Sequence, residues 1–86
     1  MHTVELREQA LAAAEQLGYH IREEWIGGSG GGQCELAGRK WIFVDLALSA
    51  AEQLEQIAEA LRAEPAIHTL ALSPPLRKLL GIRRSA

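Results

Sequence analysis

A chain of 86 residues, 48% apolar and 23% charged, has the make-up of one small folded domain and not of a disordered tail. Its formal charge of −2 lacks the basic excess of a dedicated nucleic-acid binder, and no apolar run approaches the roughly 18 residues of a membrane span. One cysteine excludes an internal disulfide and fits a reducing compartment, and the first residues lack a basic stretch followed by an apolar one, so a cytoplasmic location is expected.

The first helix is predicted over residues 4–17, with Thr3 as its N-cap and Gly18 as the left-handed residue that ends it. Leu6, Ala10, Ala13, Ala14 and Leu17 fall on one face, and the alanines suggest close approach of another element. A first strand follows over 19–26. Alternation sets Tyr19, Ile21, Glu23 and Trp25 against His20, Arg22, Glu24 and Ile26, with Glu23 read as an edge residue.

A glycine-rich connection comes next, holding Gly27, Gly28, Gly30, Gly31 and Gly32, five of the eight glycines. Read as a hairpin joining the first two strands, it is longer than a tight turn needs. The second strand is predicted over 33–37, a turn at Gly38, and the third strand over 41–46. That third strand is apolar on both faces except for Asp45, so it is expected to be central and covered on both sides, by helices or by another subunit.

Ser49 and Glu52 form a capping-box pattern that opens a second helix over 50–63, with Leu54, Ile57, Ala58 and Leu61 as its buried stripe and Glu59 and Arg62 able to pair. Pro65 ends it. Residues 67–72 alternate weakly and suggest a fourth strand. Pro74 and Pro75 open a short helix over 74–80, stopped by Gly81. The order describes a single α+β domain over 1–86, with a small three- to four-stranded, mostly antiparallel sheet, two main helices and a short C-terminal helix.

The charge is uneven. All eleven acids lie between Glu5 and Glu64, while Arg77, Lys78, Arg83 and Arg84 close the chain without an acid. That tail has no aromatic side chain for stacking, so nucleic acid is not expected as a partner, and the tail reads as a solvated helix end.

The glycine stretch and Cys34 are the first candidate site. Gly27 and Gly32 have the glycine spacing of a phosphate-binding loop, but Gln33 and Cys34 stand where such a loop needs Lys and Ser or Thr. What remains is a weaker possibility, an anion or ligand site built on Gly30, Gly31, Gly32 and Cys34. A nucleophilic Cys34 would need a base, for which His20 and His68 are the candidates and Asp45 the orienting group. No metal-ligand spacing occurs, and no cofactor is expected. Trp25, Trp41 and Phe43 are the candidate interface residues.

With Leu17-Gly18-Tyr19, Trp25 through Cys34, Trp41-Ile42-Phe43-Val44-Asp45 and Ser73-Pro74-Pro75-Leu76, the chain resembles a group of small bacterial proteins of unknown function, which implies no activity. The order helix, strands, capped helix is also similar to the opening of small zinc peptidases, but residues 53–61 lack their two helical histidines, which removes that chemistry. The expectation is a non-enzymatic protein-interaction or self-associating module, acting as a homodimer or with a protein partner. The alternative is a thiol-dependent or anion-binding protein using Cys34 and the glycine loop.

Overall fold

The structure is a computed structural model and describes residues 2–28 and 31–82. Helix α1 (Thr3–Gln16) leads into β1 (His20–Glu24), β2 (Gly32–Leu36), β3 (Arg39–Asp45), α2 (Ala50–Arg62), a 3-10 helix (Pro65–Thr69) and α3 (Pro74–Leu80). The class is α+β, with one three-stranded sheet in the order β1-β3-β2.

The sheet is mixed. β2 and β3 form the expected antiparallel hairpin, but β1 pairs with β3 in parallel, so the three strands do not make a meander. Glu24 stands beside Asp45 and Gly32 beside Phe43, so β1 ends and β2 starts at the same end of the sheet, on opposite sides of β3. The connection between β1 and β2 therefore is not a hairpin, because its two ends lie on opposite sides of the central strand, and a tight turn is too short to join them.

No strand forms over 67–72, expected as a fourth: 67–69 belong to the 3-10 helix, begun by Pro65 and capped by Glu64, whose carboxylate accepts from the Ala66 N–H, and 70–72 are irregular. Proline presets the helical φ and has no N–H to give a strand ladder. Helix α1 starts one residue early: His2, not Thr3, is its N-cap, without a side-chain cap. The capping box of α2 is present in both directions, Ser49 Oγ accepting from Glu52 N and Glu52 from Ser49 N. Arg62 pairs with Glu55 rather than Glu59, because its other nitrogen reaches the Leu79 carbonyl at the end of α3.

Helices α1 and α2 pack together and cover one face of the sheet. The core is aliphatic with one tyrosine: Ala10, Ala13 and Ala14 let α1 approach α2, and Ile42, Val44, Ile57, Leu61, Ile67 and Leu76 fill the centre. Only one face of β3 is covered, contrary to the two-sided cover that its composition suggests. The Cα envelope measures 42 × 31 × 16 Å, and 16 Å holds two layers and no third. Among the described residues, no helix is long and apolar enough to cross a membrane.

Candidate functional site

The second face of the sheet carries Arg39, Trp41 and Phe43 of β3, while Asp45 at the strand's end is covered by the loop that follows β1. The registers His20↔Trp41, Arg22↔Phe43, Cys34↔Trp41 and Leu36↔Arg39 bring His20, Arg22, Cys34, Leu36, Arg39, Trp41 and Phe43 to that one side. Trp41 and Phe43 run along the middle with ring centroids 5.9 Å apart and planes 20° from parallel. The His20 ring lies 5.0 Å from Trp41 on the β1 side. Gly32, opposite Phe43, has no side chain to cover that ring from β2.

Neither tryptophan and no phenylalanine belongs to the core. Trp25, just past β1, is 77% exposed, and Trp41 and Phe43 are half-buried. Arg22, Leu36, Ala37, Arg39, Trp41 and Phe43 line a shallow depression of about 340 Å³ on this face. Thus the structure brings Trp41 and Phe43 together and leaves Trp25 open to solvent beyond the strand.

The glycine site is arranged differently. Gly30 lies outside the described residues. Gly31 faces the Gln56 side chain of α2, and a Cβ at this position would overlap the Gln56 amide. Gln56 Oε1 accepts from the Asp45 N–H at 3.2 Å, which fixes that amide in place. The close approach that calls for glycine here comes from within the protein. Gly32 takes φ 119° at the start of β2.

Asp45 is fully buried and ends β3 beneath the crossing loop. Its carboxylate accepts from the backbone N–H of Ile26 at 3.0 Å, of Ala47 at 2.9 Å, and of Gly28. Burial alone would push the Asp45 carboxyl up. The backbone donors of Ala47, Ile26, Gly28 and Gly27 outweigh burial and hold it below the ordinary carboxylate range. Gly27 and Gly28, at φ 88° and 87°, give the loop the left-handed turns that aim these amides inward. Asp45 is occupied in tying down the loop, not in orienting a histidine.

Cys34 is half-buried on β2, and His20 lies on the opposite edge strand with Trp41 between them. Two strand spacings separate their Cα atoms, roughly 10 Å, so imidazole and thiol do not form a dyad. His68 sits exposed in the 3-10 helix, which packs on α2. Among the described residues, no three potential ligands cluster to hold a metal ion.

Sequence reasoning singled out Trp41 and Phe43 but did not join them to Arg22, Leu36 and Arg39. Two-residue alternation along β1 and β3 contains that signal, but only the parallel register places β1 beside the aromatic pair. Comparison with known proteins finds no matching family model, no matching curated protein and no matching solved structure.

Proposed function

We propose that this protein is a non-enzymatic binding module whose working surface is the uncovered face of the sheet. The observation that carries this reading is the placement of Trp25, Trp41 and Phe43. A small domain gains most from burying its largest apolar side chains, yet this one builds its core from aliphatic residues and leaves these three outside. Aromatic side chains on a rigid strand are strong interface anchors, because little conformational entropy is lost when they are covered. The alternative, thiol or anion chemistry at Cys34 and the glycine loop, has less support: a Cβ at Gly31 would overlap Gln56, and Trp41 stands between His20 and Cys34.

The test separates a binding surface from a structural one. Replacing Trp41 and Phe43 together by threonine keeps strand propensity and leaves the helix-covered face untouched. Denaturant unfolding should shift by no more than about 1 kcal/mol. A much larger loss would make the two rings part of what holds the sheet together, and the reading would fail.

A further inference from the structure

We propose that the open face binds single-stranded nucleic acid, with Trp41 and Phe43 stacking on successive bases and Arg22 and Arg39 meeting phosphates on either side. This rests on the reading of that face as the working surface and names its occupant.

Three observations select this partner. The first is the ring row. Trp41 and Phe43 alternate on the central strand, the position from which side chains stand clear of both edges, and His20 flanks Trp41. Every base has a π-face, so a row of rings on a sheet accepts a strand with little regard to sequence.

The second is charge. The exposed acids of the helical layer, Glu5, Glu8, Glu15, Glu52, Glu55 and Glu59, lie on α1 and α2. The open face carries Arg22 beside Phe43, with Glu24 as its ion-pair partner, and Arg39 two residues before Trp41. Arg39 has no ion pair among the described residues. The two arginines sit four residues apart in register, about 13 Å along the strands, with the rings between them. The net charge of the chain is negative, but α1 and α2 carry six of the acids and the register sets Glu23 and Glu35 on the helix-covered side, which leaves Glu24, paired with Arg22, beside the open face.

The third is size. Three strands of five to seven residues present a face of roughly 300 Å² in projection. A stretch of two or three nucleotides needs no more than this face offers.

The experiment titrates the whole protein with an eight-nucleotide oligothymidylate and with its oligouridylate counterpart, following backbone amide shifts by NMR together with tryptophan fluorescence. Shifts confined to β1, β2 and β3, with quenched fluorescence, are expected. Trp41→Ala or Phe43→Ala should weaken binding about tenfold or more. The logarithm of affinity should fall with that of salt at a slope of about −1.4, and Arg39→Ala should reduce the slope by about 0.7. Circular dichroism checks that each variant is folded. No shift at millimolar oligonucleotide overturns the proposal. If the wild type then self-associates and Trp41→Glu abolishes this, the open face stands as the working surface and its occupant is a second copy. Binding that ignores both Trp41→Ala and Phe43→Ala overturns the occupant and the surface together.

Discussion

Among the described residues Ala37 is the one other than glycine with positive φ, at 52°, followed by Gly38 at 77°. Two consecutive left-handed residues make the turn that matches the twist of a two-residue hairpin. Alanine is a poor occupant of the first position, because its Cβ crowds the following carbonyl. Ala37→Asn is expected to stabilise the protein by about 0.5–1 kcal/mol, read from thermal or denaturant unfolding, with the open face unchanged. Asp45 is the opposite case, a residue placed where nothing else would serve. A neutral isostere keeps its shape but weakens three backbone hydrogen bonds at once. Asp45→Asn should therefore unfold more easily and speed hydrogen exchange at Ile26, Gly28 and Ala47 before the rest of the sheet. Exchange that is unchanged at those three amides would mean that the loop is held by something else.

At the scale of elements, the connection that joins β1 to β2 across the end of β3 organises the sheet. It inserts β3 between two strands that precede it in the chain, and it is pinned at Asp45 and clasped by Gln56 from α2. Gly31→Ala must displace the Gln56 amide and its bond to the Asp45 N–H. A cost of about 1–2 kcal/mol is expected in the wild type. In a Gln56→Ala background the same change should cost almost nothing, so the double-mutant cycle should show strong coupling. Additive effects would detach Gly31 from Gln56. A second clasp lies at the other end of the sheet, where Lys40 donates to Glu64 at 2.5 Å and to the Leu17 carbonyl at 3.1 Å, with its ammonium 4.5 Å from the Tyr19 ring centroid. It joins the end of α1, the hairpin and the end of α2. At the outer edge, Arg7 bridges Gln53 of α2 and Glu23 of β1, so Glu23, an edge residue as its sequence position suggests, is also an ion-pair partner.

Across the molecule, three carboxylates among the described residues lie below their ordinary range. Asp45 is held there by backbone donors that outweigh its burial, Glu52 by its hydrogen bonds to Ser49, and Glu64 chiefly by its hydrogen bond from Lys40. Each binds protons more weakly folded than unfolded. Their contribution to stability is thus complete above the unfolded carboxylate values, about pH 4–5, and is lost as pH falls through the lower folded values. Lys40 is raised, first by its hydrogen bond to Glu64, so its share is complete below the ordinary lysine value and disappears as pH rises through the higher folded one. Denaturation midpoints should be level between about pH 5 and pH 9 and fall below about pH 4. Asp45→Asn should start lower and lose less on acidification; an unchanged acid limb would show that Asp45 is not among the groups that set it.

The α+β class, the capping box at Ser49, the stop at Gly81 and the aliphatic stripe of α2 were legible in the sequence, because each depends on neighbours within a few residues. The same local rules expect a central strand over Trp41–Leu46, and the strand observed there, Arg39–Asp45, is central. They could not say which strand would lie on its other side, since a parallel partner is chosen by contacts between residues far apart in the chain. Tertiary structure alone decided that β1 runs parallel to β3 and that β1 and β2 are joined across the central strand instead of by a hairpin. It also decided where the aromatics go. Two-residue alternation puts Trp41 and Phe43 on one face, but only the placement of both helices against Ile42 and Val44 leaves that face uncovered, with Arg22 and Arg39 beside it. The chain spends its apolar length on a single layer of helices, and its sheet is left with one side packed and one side uncovered.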